Sequence, residues 1–265
     1  MYKGRQGPAR EHETAADTRR TLDGADLLLL QEACAPTRDD AIDTLIGPGR
    51  GWAMATSFVS RVLGCGDNMP TGVITASVAT PDTATALRSH GREFGLTPKS
   101  ALATTYALAG QRDSLLVVNA HLLNFEWFEL GDYQAQLDRI EAVVAVHAGP
   151  VIVAGDLNTR NAARQARIDG LAQRCGLTPV FGAGADRRTT AVIGGDLPLD
   201  HVLYRGLTLI GSGHIGHEKD AGWSDHNSVS VLFVAHSNAN GETLTAPTHS
   251  LGCGPRNRFA PRPAT

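Results

Sequence analysis

The run Val151-Ile152-Val153-Ala154 constrains this chain more than any other segment. Its four apolar residues follow Gly149-Pro150 directly and stop at Gly155-Asp156-Leu157-Asn158. A short strand that is apolar throughout needs cover on both faces. Leu27 to Leu30 and Leu115 to Val118 are runs of the same kind. Strands are also expected over Ala53–Val59, Gly72–Val78, Asp200–Tyr204 and Val229–Val234. Ser100–Leu108 and Ser114–Val118 form an expected hairpin around Ala109 to Asp113. Tyr133–His147 carries apolar residues at Leu137, Ile140, Val143, Val144 and Val146, a helical face, and Asn161–Cys175 reads as a helix closed by Gly176. Further helices are expected at Glu11–Leu22 and Asp39–Ile46. Several strands follow one another with no helix between them, so they cannot all be parallel neighbours. Two stacked sheets flanked by helices, an α/β architecture, satisfy these demands better than one open parallel sheet.

With 265 residues, of which 42% are hydrophobic, the chain can bury a large core. One domain over 1–235 is expected, because no Pro/Ser-rich linker divides it. Beyond His236 apolar residues thin out and Pro247, Pro255, Pro261 and Pro263 alternate with Arg256, Arg258 and Arg262, which predicts a disordered tail over 236–265. A net charge of −3 supplies no general basic field, so tight sequence-independent binding to duplex DNA is not implied. Cys34, Cys65, Cys175 and Cys253 are scattered, with no Cys-x-x-Cys pair. Neither a zinc site nor a disulfide framework is therefore expected, and a cytoplasmic location is the default. No apolar run reaches the length of a membrane span, so no membrane insertion is expected. No protein partner is implied.

Five polar punctuations sit at strand ends or just before strands. They are Gln31-Glu32, Asn119-Ala120-His121, Gly155-Asp156-Leu157-Asn158, Asp200-His201 and Ser224-Asp225-His226. Cleaving a phosphate ester requires charge neutralisation at the phosphoryl oxygens, an aligned water, and a proton for the leaving oxygen. Glu32 and Asp225 are oxygen ligands suited to a hard cation. Asp156 suits the water, Asn158 a phosphoryl oxygen, and His226 or His121 the proton. Taken singly, each has a plainer reading: a strand's exit into solvent, a hydrogen-bonded structural histidine, a capped turn or a surface pair.

In their order and spacing these motifs resemble the endonuclease/exonuclease/phosphatase superfamily, over about Tyr2 to Val234. Leu30-Gln31-Glu32-Ala33, Lys99-Ser100-Ala101-Leu102 and Tyr204-Arg205-Gly206-Leu207 look most like its YafD-like bacterial branch. The resemblance implies a four-layer α/β/β/α sandwich with two stacked mixed sheets and helices outside, the active site at one end, and a divalent-metal-dependent phosphodiesterase. Glu32 and Asp225 would bind Mg²⁺ or Mn²⁺. Asp156 would align the nucleophilic water, Asn158 and Asn119 would hold substrate, Asp200 would orient His226, and His121 would assist the leaving group. Nuclease members often place a Glu beside that first imidazole, yet Asp67 is the only carboxylate between Asp43 and Asp82. Members also open with a core strand ending in Asn, which nothing before Glu11 supplies. Tyr2-Lys3-Gly4-Arg5 resembles the stretch just after that Asn, so the first core strand is expected to be missing and to lie upstream of Met1 in the natural product.

Loops decide the substrate. Phe125, Trp127 and Phe128 follow His121 in a chain with 5% aromatics, and stack on a base, touch a lipid or pack in the core. Arg187 and Arg188 contact a phosphate or sit in solvent. A phosphate-ester substrate is expected, a nucleic acid or nucleotide ahead of a phospholipid or sphingomyelin-type ester. A catalytically silent binding module of the same fold is the alternative.

Overall fold

The computed structural model describes residues 24–35, 46–59, 65, 68–93, 96–125, 131–182, 190–192, 195–216 and 226–235. The helix expected at 11–22, that at 39–46 apart from the helical Ile46, the tail beyond 235, and the motif residues Trp127, Phe128, Arg187, Arg188, Ser224 and Asp225 lie outside them. Strands β1 (Leu27–Cys34), β2 (Gly51–Val59) and β3 (Pro70–Ser77) form an antiparallel sheet with β3 in the centre. Next come β4 (Thr83–Glu93), β5 (Thr97–Tyr106), β6 (Leu115–His121), helix α1 (Gly131–Val146), β7 (Val151–Asp156), helix α2 (Ala162–Cys175) and β8 (Thr178–Pro179). The chain continues through the small hairpin β9 (Thr190–Val192) and β10 (Gly195–Leu197), then β11 (Asp200–Arg205), β12 (Thr208–Ile215) and β13 (Val229–Val234). A six-stranded mixed sheet takes the order β4-β5-β6-β7-β11-β8, with β6 and β7 parallel, while β12 pairs with β13.

The two larger sheets stack: β1 meets β6 and β7, β2 meets β5, and β3 meets β5 and β6. Strand alternation explains the layering. Leu116, Val118, Ala120, Val151 and Val153 turn outward into a core shared with Tyr133, Leu137, Ile140 and Val144 of α1 and Ile168 and Leu171 of α2. On the opposite face, Leu102 packs against Ala55 and Val73 of the smaller sheet. Helix α2 starts where Asn161 accepts a hydrogen bond from the Arg164 amide and ends at Gly176, whose φ of 62° suits glycine.

Strands β4 and β12 were not expected from the sequence. Thr83 to Ala86 are exposed, and Gly211 and Gly213 interrupt β12, so neither carries an apolar pattern. The cysteine reading is corrected outright. Cys34 and Cys65 form a disulfide across 31 residues with a Cα–Cα distance of 5.6 Å, and Cys175 is also disulfide-bonded. Scattered spacing hid this, because pairing depends on the fold bringing the end of β1 beside the turn that leads into β3. Among the described residues, no helix is long and apolar enough to cross a membrane.

Candidate active site

Register builds the site. His121 lies opposite Asp156 in the parallel β6–β7 ladder, and Asp156 lies opposite Asp200 in the antiparallel β7–β11 ladder. Three motif residues thus stand in one row across adjacent strand ends. Their neighbours Ala120 and Leu157 enter the helix-side core, which leaves the row facing the smaller sheet. His121 Nε2 is 3.5 Å from Asp156 Oδ2 and 3.9 Å from Glu32 Oε1. His226 Nδ1 pairs with Asp200 Oδ2 at 2.8 Å, and its Nε2 is 3.8 Å from Asp156 Oδ2. Glu32, His121, Asp156, Asp200 and His226 therefore converge.

Local backbone explains the convergence. Gln31-Glu32 does not lie beyond the strand, because β1 runs on to Cys34 and Glu32 sits where the β1–β3 register shifts, with φ of 50°. Asn158 has the same left-handed φ. Such values in non-glycine residues carry strain that the surroundings must hold, and they cluster at sites where side chains are re-aimed. At Gly155 a Cβ would collide with the Ala120 carbonyl oxygen, so the glycine of the motif serves close strand approach inside β7.

The two loops that follow β6 and β7 are anchored by helix side chains. Tyr133 OH donates to the Leu157 carbonyl at 2.7 Å, and Gln136 Oε1 accepts from the Leu123 amide at 2.9 Å. Arg164 donates to the carbonyls of Leu123 and Asn158 at 2.6 and 3.0 Å. Asn158 itself caps the turn: its amide donates to Asp156 Oδ1 at 3.0 Å and its Nδ2 to the Leu122 carbonyl at 2.8 Å. Its Oδ1 is buried with no hydrogen-bond partner.

Two sequence assignments change. Asn119 is 0% exposed, accepts from Gln31 Nε2 at 2.7 Å and donates to the carbonyls of Ile74 and Leu30 at 2.9 and 3.3 Å. Its amide staples the two sheets together, so it has no group left to hold substrate. His201 is no surface residue: it is buried, with Nε2 2.6 Å from Thr159 Oγ1.

In the sequence Lys99 stands out only as part of the branch-like stretch Lys99 to Leu102, with no site role, and Glu93 not at all. Lys99 Nζ lies 3.1 Å from Glu32 Oε1 and 3.6 Å from Glu93 Oε2, while Glu93 also accepts from the Asn124 amide. Glu93 brings a carboxylate into the site from outside the window between Asp43 and Asp82. Arg160 stacks 4.7 Å above the Phe125 ring, which is 43% exposed.

Burial, followed by the neighbouring Asp200 charge, pushes the Asp156 carboxyl up to about 7. Burial, then Lys99 and His226, hold the His121 imidazole well below its ordinary value, so it is neutral at pH 7. A concentration of negative charge that protonates for want of compensation fits a cation. Among the described residues no three His, Cys, Asp or Glu side chains form a ready cage. Mg²⁺ needs only one or two carboxylates besides water, which Glu32 with its neighbours can meet.

Residues 4–226 match the model of the endonuclease/exonuclease/phosphatase family. The chain belongs to that family. A UPF0294 protein of Vibrio campbellii is 34% identical over 209 residues, which cover 78% of this chain and 67% of that protein. This agrees with the YafD-like branch. An endonuclease/exonuclease/phosphatase family protein from Leptotrichia buccalis superposes with a TM-score of 0.65 at 16% identity, covering 88% of this chain and 97% of that one. The 3′ phosphatase NExo from Neisseria, solved with a product DNA hairpin, gives 0.57 at 17% identity over 85% and 93%. These two likenesses show the shared sandwich fold. Family membership makes phosphoric ester hydrolysis the kind of chemistry to expect of this endonuclease/exonuclease/phosphatase domain.

Proposed function

We propose that the chain is a divalent-metal-dependent phosphodiesterase that hydrolyses phosphate esters by in-line attack of water, with a nucleic acid or nucleotide as substrate. The row His121, Asp156 and Asp200, completed by the 2.8 Å Asp200–His226 pair, carries this reading.

Asp200 accepts from His226 Nδ1, which fixes the tautomer, leaves Nε2 facing Asp156 and favours the imidazolium once a proton arrives. Asp156 is buried where a carboxylate holds a proton near neutral pH, the property needed to align and deprotonate a water. His121 is neutral, and its Nε2 faces two carboxylates, which places the ring proton there. It acts as a hydrogen-bond donor to a phosphoryl or leaving oxygen, a narrower role than general acid. Asn158 keeps one amide hydrogen for a phosphoryl oxygen, while its bare Oδ1 can accept from the water. Glu32 and Asp225 would hold Mg²⁺ or Mn²⁺, which when bound neutralises charge on the phosphoryl oxygens. Phe125 and Arg160, beside the two site loops, offer a base a ring to stack on and a phosphate a guanidinium. Arg160 Nε is buried without a partner.

The test is hydrolysis of bis-p-nitrophenyl phosphate with Mg²⁺ or Mn²⁺, with and without EDTA, in wild type, Asp156→Ala and His226→Ala. Turnover that survives EDTA, or variants as active as wild type, defeats the mechanism. No turnover on this ester or on DNA, RNA and lipid phosphodiesters leaves the silent binding module as the answer.

A further inference from the structure

The disulfide-bonded cysteines stand outside everything the phosphodiesterase reading uses. We infer that this domain folds and works in an oxidising compartment rather than in a reducing cytosol, with Cys34–Cys65 as a covalent clamp on the strand that carries Glu32. Every described cysteine is disulfide-bonded. Structural disulfides persist where thiols are not kept reduced, whereas cytosolic ones are mostly transient, exposed and catalytic or redox-sensing. The bonds here have the structural character. Cys175 is 3% exposed and belongs to the core between α2 and the six-stranded sheet. Cys34 and Cys65 sit half-buried around Thr71, whose hydroxyl donates to Cys65 Sγ and accepts from the Cys65 amide, both at 3.2 Å.

Position gives the first bond its use. Cys34 lies two residues past Glu32, at the end of a strand whose register shifts between Leu30 and Ala33. Among the described residues the cluster at the smaller sheet is Leu28, Ala33, Ile46, Ile74 and Ala76, against the extensive core under the helices. A cross-link there fixes the strained Glu32 backbone from its C-terminal side. Forming the bond removes two electrons and two protons from the two thiols, and a disulfide-bearing oxidant is reduced to a dithiol.

The full chain is to be produced twice, once exported to a bacterial periplasm and once retained in a reducing cytoplasm. Denatured samples are titrated with a maleimide, and unreduced digests are mapped by mass. The exported protein should show no free thiol and a linked peptide pair containing Cys34 and Cys65. It should melt about 10 °C above the cytosolic product, and a phosphine reductant should abolish the difference. A Cys34→Ala/Cys65→Ala chain should lose part of that margin while keeping its far-UV spectrum. If that variant fails to fold, reduction and reoxidation of the wild type give the same reading. Free Cys34 and Cys65 in the exported protein overturn the inference, as does a reduced protein that melts within about 1 °C of the oxidised one. None of these readouts depends on hydrolytic activity.

Discussion

Replacing Asp156 with asparagine should stabilise the metal-free protein at neutral pH while it abolishes hydrolysis, so that the residue proposed to activate the water is also a thermodynamic liability. The side chain is 6% exposed, and burial with the Asp200 charge raises its carboxyl from the ordinary 3.8 to about 7. Because the folded value lies above the unfolded one, folding binds a proton between them. The stability attached to that proton is fully present below about pH 4 and is lost as pH rises to about 7. At 1.36 kcal/mol per unit, roughly three units cost at most about 4 kcal/mol. Asparagine carries no charge to bury, and its Oδ1 keeps the Asn158 amide bond of 3.0 Å. For a domain of this size 4 kcal/mol corresponds to a Tm difference of about 8–15 °C. Melting curves in EDTA from pH 4 to 8.5 measure it. Wild type and Asp156→Asn should start together at pH 4 and diverge to the full gap by pH 8, and Mg²⁺ should then narrow the gap by raising wild type, whose Asp156 charge it offsets, more than the variant. The difference curve isolates Asp156 from every other titrating group. A variant no more stable than wild type at pH 8 in EDTA would refute the reasoning, and so would a gap that does not vary with pH.

Other outcomes rest on the same contacts. Asn119→Ala strands Gln31 and two buried carbonyls between the sheets and should cost about 3 kcal/mol in urea unfolding; a loss below about 1 kcal/mol would mean the staple is unimportant. Asp200→Asn should lower kcat about 100-fold or more with little change in KM, because His226 loses its partner but no binding surface, and a pure KM effect contradicts the dyad. Phe125→Ala and Arg160→Ala should raise KM for a polynucleotide about tenfold yet leave bis-p-nitrophenyl phosphate within about twofold, and equal effects on both substrates would remove them from recognition. Gly155→Ala forces a Cβ against the Ala120 carbonyl and should cost about 3 kcal/mol or more; a melting temperature equal to wild type would show that β6 and β7 can part there.

What was legible in the sequence was what depends on neighbours in the chain. Apolar runs ending in Gly-Asp or Asn-x-His mark strands that finish at one level, and the β6–β7–β11 register converts three such endings into one row. The caps of α2 are equally local, with Asn161 at one end and Gly176 at the other. Even the Gln31-Glu32 motif was found for its order, although its backbone was misplaced. A bulge inside a strand leaves no mark in hydrophobic periodicity, since the shift of face it creates looks the same as the strand's end.

The features that escaped are those created by approach between distant segments. Lys99 meets Glu32 across 67 positions, Asn119 meets Leu30 across 89, and Cys34 meets Cys65 across 31. Nothing local to any of these residues distinguishes a partner from solvent, and the plain reading of each side chain fails for one physical reason. Stacking two sheets puts polar strand residues into a dry layer where every donor and acceptor must be matched. Asn119 resolves that demand by binding backbone, and Lys99 by pairing with two acids. Asp156, with charge left over, holds its proton near neutral pH. A polar residue on the inner face of such a sandwich is thus either a staple or a catalyst, and the criterion separating them is whether its hydrogen-bonding capacity is already spent within the fold. By that criterion Asn119 is spent within the fold, whereas the charge of Asp156 and the bare oxygen of Asn158 are left for the roles proposed for them.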